Sequence, residues 1–413
     1  MNHYAIFCTN NTNASLFIQK LHEGKYINAF PSLNINNAVV YSPALIKEFI
    51  EEEAKRDYTI LNRADKRMIR TFSSGEQKRI VLEYLLSKQP AYIILDNPFD
   101  NLDLEHQKKL LEKISEAAHT ISIIQVIYRK KDRLPFITTG FQLCQDYQLI
   151  PIKNIDVFVD QPSPAVFFKP VIPGPIHTYN HIPDKLVQLH DVTIAYNEQV
   201  VLNKINWIIQ KNEFWQLKGA NGSGKTTLLT MITGDSIKGY GQELYLFGKK
   251  KGSGESVWEI KDKIGYVTPA MTDLFNTRHT VEEMIVSGFY DSIGLYVIPS
   301  EIALQLSNEW LELLDMQPIK QKIFCQLPLG LQRKILIARA MVKHPPLLIL
   351  DEPAYGLDDE NTEMIVDLIN KLSKESNTTI VYVSHREEKN LQPQYVFELA
   401  KTENGSAGRV VQL

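Results

Sequence analysis

Gly219-Ala220-Asn221-Gly222-Ser223-Gly224-Lys225-Thr226-Thr227 is the stretch of this 413-residue chain on which the fold turns. It follows Phe214-Trp215-Gln216-Leu217, which reads as a strand, and opens a helical pattern from Lys225 to Thr233. Glycines at 219, 222 and 224 let the backbone curl so that successive N–H groups face inward, and the following helix aims its positive end at the same point. A triphosphate fits that concavity. Lys225 reaches for the β and γ phosphates, the Thr226 hydroxyl is placed to ligate Mg²⁺, and Asn221, Ser223 and Thr227 complete the cradle. A glycine-rich turn without nucleotide is the bland alternative, and the strand-turn-helix setting argues against it.

Working outward, the apolar run Leu347-Leu348-Ile349-Leu350 ends in Asp351-Glu352-Pro353. Asp351 is the expected Mg²⁺ carboxylate and Glu352 the candidate general base for attacking water. The buried-strand pattern Thr379-Ile380-Val381-Tyr382-Val383 is followed by Ser384-His385, which puts an imidazole where it can bond a γ-phosphate. Tyr196, after the strand-like Leu186 to Ile194, is a candidate to stack on adenine or to pack on a sheet. Alternating strands and helices, including a helix from Glu360 to Lys371, predict a mainly parallel α/β sheet.

Part of the pattern occurs twice. Tyr92-Ile93-Ile94-Leu95-Asp96-Asn97-Pro98 echoes Leu347 to Pro353, and Leu102-Asp103 echoes Leu357-Asp358. Phe72-Ser73-Ser74-Gly75-Glu76-Gln77 and Leu327-Pro328-Leu329-Gly330-Leu331-Gln332 each open a helical pattern at the same distance before their acid. Prolines 162, 164, 170, 173, 175 and 183 are scattered through a stretch without apolar period, which reads as an extended linker. The expected organisation is a first half over 1–150, a linker over 151–184 and a second half over 185–413.

Composition sets the outer bounds. Lys and Arg number 45 against 48 Asp and Glu, a net charge of -3, so bulk electrostatics announce no nucleic-acid partner. The one dense basic run, Lys249-Lys250-Lys251, reads as a solvated hairpin tip or, less simply, a phosphate-backbone contact. Cys8, Cys144 and Cys325 are far apart and form no zinc motif, and neither a bilayer-length apolar run nor a leader is evident. The expectation is a cytoplasmic protein; if it serves a transporter, it does so from outside the membrane.

Together Gly219 to Thr227, Ser73-Ser74-Gly75-Glu76-Gln77, Leu350 to Pro353, Gly356-Leu357-Asp358 and Ser384-His385 resemble the ATP-binding cassette ATPases, as two tandem P-loop cassettes over nearly the whole chain. Ile264 to Thr268, Val286 to Tyr296 and Val342 to Pro353 are similar to two-cassette proteins associated with molybdate transport. The resemblance implies a head-to-tail sandwich, within a chain or between chains, in which each ATP lies between the cradle of one cassette and the signature turn of the other. Ser73 and Gly75 would then close the second half's cradle. The opposite pairing is depleted: Thr9, Thr12 and Ala14 stand where glycines belong, Ser15 for the lysine, Asn97 for the glutamate and Tyr128 for the histidine, while Pro328 and Leu329 spoil the facing turn. Asparagine cannot act as a base. The first cassette therefore reads as reduced and degenerate, and one Mg-ATP site is expected to hydrolyse. Thr268, Pro269 and Ala270 also replace the glutamine many family members carry after the strand Ile264 to Val267. The leading expectation is an ATPase driving a partner, with molybdate uptake or handling implied by the resemblance; the alternatives are a translation or nucleic-acid factor and a nucleotide sensor.

Overall fold

The computed structural model describes residues 1–30, 37–56, 59, 61, 67–162, 168, 170–275 and 278–412. Two compact units emerge: Met1–Pro164 with Gly356–Asn361, and Ala165–Tyr355 with Thr362–Leu413.

In the first unit, β1 (His3–Phe7), β2 (Ala38–Tyr41), β3 (Tyr92–Asp96), β4 (Ser122–Ile127), β5 (Thr139–Leu143) and β6 (Leu149–Ile152) form one sheet in the order β2-β3-β4-β1-β5-β6. All neighbours are parallel except β5 and β6. Because strand side chains alternate, β3 feeds both faces: Ile93 and Leu95 pack with Ile80, Val81 and Leu110, whereas Tyr92 and Ile94 pack with Phe17 and Phe30. A strand buried on both sides must be apolar throughout, which is why Tyr92-Ile93-Ile94-Leu95 carries no polar side chain until Asp96.

The second unit has ten strands: β7 (Lys185–Tyr196), β8 (Gln199–Gln210), β9 (Phe214–Gly219), β10 (Glu243–Leu246), β11 (Lys249–Lys250), β12 (Ile264–Val267), β13 (Leu347–Asp351), β14 (Thr379–Val383), β15 (Tyr395–Thr402) and β16 (Gly405–Gln412). Their order is β11-β10-β7-β8-β16-β15-β9-β14-β13-β12. The last six, read from β12 back to β16, repeat the first unit's order strand for strand. β11, β10, β7 and β8 add an antiparallel portion, for which the first unit shows no counterpart among its described residues. Helices Val281–Ser287, Glu301–Leu313 and Leu329–Met341 form a helical part between β12 and β13.

Two expectations are corrected. The presumed linker begins with regular structure: β6 reaches Ile152, and a helix spans Ile155–Asp160. Its start is fixed because the Asn154 side chain accepts from the N–H groups of Asp156 and Val157, and Ile155 is buried. Pro164 of the linker lies outside the described residues. The Lys249–Lys251 run lies on the β10–β11 hairpin and is solvated at Lys249 and Lys250 as expected, but not at Lys251. Lys249 pairs with Glu259 at 3.1 Å, Lys250 pairs with Glu243, and Lys251 is 3% exposed, 3.6 Å from Glu255 and over the Tyr240 ring. Folding the hairpin back brings carboxylates to each ammonium, so little unbalanced charge is left for an external phosphate.

Candidate active site

The cradle lies in the second unit, at the carboxyl end of β9, which β14 and β15 flank in parallel. Its glycines answer distinct demands. Gly222 and Gly224 hold φ of 72° and 90°, the left-handed region that costs other residues most. A Cβ on Gly219 would stand 2.5 Å from Ser223 Oγ and 2.9 Å from the Leu399 carbonyl oxygen. Gly224 caps the helix Lys225–Ile232, and the Lys225 ammonium donates to the carbonyls of Gly219 at 2.7 Å and Ala220 at 3.2 Å. Ser223 Oγ is buried without a hydrogen-bond partner, a costly arrangement that a ligand oxygen would relieve. Thr226 is exposed at the head of the helix, Thr227 follows it, and Asn221 is half-buried in the loop.

β13 brings the two acids. Asp351 ends that strand opposite Val383 of β14, and burial, reinforced by the neighbouring Glu352 and opposed by Lys225, pushes its carboxyl up to about 6. An acid so held is favoured in its ionised form by a divalent cation, and the candidate donors, Thr226 and Asp351, are oxygens of the kind Mg²⁺ takes. Glu352 adopts φ of 49° with its N–H donating to the Val383 carbonyl at 2.9 Å, which turns the chain at the end of the strand. Its Oε1 accepts from the His385 N–H at 3.2 Å and lies 2.8 Å from His385 Nδ1. His385 Nε2 is buried and unpartnered. Thus β9, β13 and β14, adjacent parallel strands, deliver the cradle, the acids and the imidazole to one edge of the sheet.

Tyr196 ends β7 at a tight turn in which Asn197 and Glu198 both have positive φ. It is 42% exposed, with Lys238 Nζ 5.1 Å from the ring centroid. An exposed aromatic with a cation on it remains a candidate base platform rather than a core residue.

In the first unit the matching positions keep the backbone and lose the chemistry. Asn97 repeats Glu352 closely, with φ of 45° and its N–H donating to the Val126 carbonyl at 2.9 Å, and burial with nearby Asp100 pushes the Asp96 carboxyl up to about 6. The loop after β1 is held by side chains instead of glycines: Thr12 Oγ1 donates to the Thr9 carbonyl at 2.7 Å, and Asn13 caps the helix Ala14–His22. Within this unit, too, the Asn10 N–H donates to Asp358 Oδ2 at 2.7 Å, so a carboxylate takes one of the loop's amides.

Ser73 and Gly75 open the helix Ser74–Ser87. The Ser73 N–H donates to Glu76 Oε2 at 2.9 Å while the Glu76 N–H donates to Ser73 Oγ, a capping box, and Ser73 Oγ also donates to Glu76 Oε2 at 2.8 Å. A Cβ on Gly75 would meet the His106 ring at 2.1 Å, and His106 Nδ1 is 2.7 Å from Asp103 Oδ1. That contact escapes sequence reading, as does Arg333, whose guanidinium donates to the carbonyls of Thr268 at 3.1 Å and Pro269 at 3.3 Å, the segment lacking the usual glutamine. The available signal was the repeat itself, which aligns Arg333 with Lys78. In the first unit Lys78 is buried and donates to the carbonyls of Pro98 and Asp100.

The family described as ABC transporter matches residues 202–355. ABC transporter ATP-binding protein ModF of Escherichia coli (strain K12) is 33% identical over 334 residues, covering 78% of this chain and 68% of that protein. Uncharacterized ABC transporter ATP-binding protein C323.04 of Schizosaccharomyces pombe (strain 972 / ATCC 24843) is 30% identical over 353 residues, covering 81% and 68%. Among solved structures, the archaeal ribosome recycling factor aABCE1, in complex with the ribosomal stalk protein aP1, superposes with a TM-score of 0.61 at 17% identity, covering 99% of this chain and 85% of that one. That likeness is one of fold.

Proposed function

This chain belongs to the ATP-binding cassette ATPases, proteins that bind and hydrolyse ATP, and from that membership we propose that it hydrolyses Mg-ATP at one composite site, made of the second half's cradle and the first half's signature turn. The observation that carries the proposal is the asymmetry of two matched sheets. At equivalent places one unit holds Lys225, Glu352 and His385, and the other holds Ala14, Asn97 and Tyr128. In the other unit the helix after the first loop starts at Ala14, capped by Asn13 as Gly224 caps the helix from Lys225, so Ala14 and not the Ser15 expected from sequence stands at the lysine's place.

In this reading Gly219 to Thr227 bind the phosphates through their amides and Lys225, and Tyr196 stacks on the base. Thr226 and Asp351 would hold Mg²⁺, which when bound offsets charge on the β and γ phosphates. Glu352 orients the attacking water and takes its proton. His385 fixes the Glu352 carboxylate through Nδ1. A phosphate oxygen accepting from Nε2 then requires the imidazolium, because a neutral ring has one N–H. Ser73 and Gly75, from the same chain or a second copy, supply a hydroxyl and an amide to the γ-phosphate.

The likeness to ModF supports work on a partner protein, with molybdate transport or handling as the process served. A cytoplasmic site of action, peripheral to a membrane if the partner lies there, fits this reading; among the described residues no helix is long and apolar enough to cross a bilayer. A role on ribosomes is the second reading, and its support is limited to shared fold. Phosphate release by the full chain, measured against Glu352→Gln, tests the enzyme. Proteins retained by ATP-loaded Glu352→Gln identify the partner: a membrane subunit supports the first reading, and salt-sensitive ribosome or RNA recovery supports the second.

A further inference from the structure

We propose that Lys401 is a further phosphate-binding residue of this site, a second ammonium set against the tip of the cradle to grip the nucleotide's polyphosphate tail. The inference rests on the reading of Gly219 to Thr227 as a triphosphate cradle.

Register explains how a residue so far along the chain gets there. β15 runs parallel to β9 with Glu398 beside Lys218 and Leu399 beside Gly219. β9 stops at Gly219 and turns into the cradle, while β15 continues to Thr402, so its last residues pass alongside the loop. Leu399 and Lys401 are two apart and share a face. The Leu399 Cβ lies 3.1 Å from where a Cβ on Gly219 would sit; on Gly222, at the tip, the corresponding point is 3.4 Å from Lys401 Nζ and 3.8 Å from Cε.

Electrostatics supply the reason to expect an anion there. The helix Lys225–Ile232 points its positive end into the loop, the loop's amides converge there, and Lys225 adds a full charge. A further ammonium raises that potential and is repelled by it unless a counter-charge arrives. Other cations on these strands have one: Lys218 lies 3.5 Å from Glu387, and Arg409 pairs with Glu398. Among the described residues Lys401 has no such ion pair, and it is exposed, so the fold gains nothing evident from its position. The chemistry that satisfies it is a di- or triphosphate, whose charge spreads over more oxygens than the loop and Lys225 can contact.

The test is calorimetric titration of the full chain with ATP, ADP and adenosine at low and high salt. Lys401→Glu is expected to weaken ATP and ADP by about 10-fold at low salt, less at high salt, with adenosine unaffected and the melting temperature unchanged. Lys401→Arg keeps affinity within about 2-fold, and so does Arg409→Gln, which removes a paired cation from the same hairpin. Wild-type ATP affinity in Lys401→Glu, with Lys225→Ala unable to bind, overturns the role of Lys401 alone. Wild-type affinity in Lys225→Ala overturns the cradle reading and this proposal with it.

Discussion

Glu352 Oε1 accepts the backbone N–H of His385 and lies 2.8 Å from its Nδ1, so the residue leaving β13 and the residue following β14 are clamped to each other by one carboxylate oxygen. Glu352→Gln keeps an acceptor of the same shape and removes the carboxylate proposed as base: ATP binding is expected to persist while phosphate release slows by about 10²-fold or more. Lys225→Ala, in contrast, abolishes binding of a fluorescent ATP analogue. A glutamine variant that turns over at the wild-type rate would remove Glu352 from the reaction.

Ser73→Ala tests whether the first unit contributes chemistry. It costs the helix a cap, about 1 kcal/mol, and in the composite-site reading it also cuts turnover in phosphate-release assays by an order of magnitude or more. Ser15→Ala, in the first turn of the helix that follows the depleted loop, leaves turnover intact. The reverse pattern would assign the working site to the other pairing.

Asp351 and Asp96 make a pH prediction with opposite functional outcomes. Each carboxyl is pushed from 3.8 to about 6 by burial. Between those values the folded chain binds more protons than the unfolded one, so stability falls as pH rises through that window and stays lower above it. The linkage for each is about 3 kcal/mol at most. Asp96→Asn and Asp351→Asn should therefore raise the melting temperature of the nucleotide-free protein at pH 7.5 more than at pH 4. Only Asp351→Asn should abolish Mg-dependent hydrolysis. Equal shifts at the two pH values would refute the burial account.

Gly75→Ala should destabilise the first unit, because the new methyl carbon falls within 2.1 Å of the His106 ring. Overpacking of this kind costs about 1–3 kcal/mol. Adding His106→Ala should recover much of the melting temperature. A double variant no more stable than Gly75→Ala alone would locate the strain elsewhere.

Much of this was legible in the residues because the constraints are local. Positive φ at Gly222 and Gly224 admits few alternatives, and the apolar runs before Asp96 and Asp351 declare strands buried on both faces. The paired halves were legible from the echoed apolar runs ending in Asp96 and Asp351 and from their equal distance to the preceding turns. What sequence could not yield were relations set by folding at a distance. Six residues, Ile155–Asp160, are too few for a helical period to stand out, and the capping Asn154 is as good a turn former as a helix starter. The burial of Lys251 depends on Tyr240 and Glu255 closing around it. His106 reaches Gly75, and Arg333 reaches Thr268, only after strands and helices have packed.

The repeated strand order has a practical corollary. β1 and β9 sit between equivalent neighbours, so the loops that leave them are anchored at homologous points. Residues 8–14 could be exchanged for 219–225 as a transplant onto a scaffold already shaped to receive it, and Asn97 restored to glutamate beside it. Such a chimera would ask whether a retired engine can be restarted from its own surviving twin.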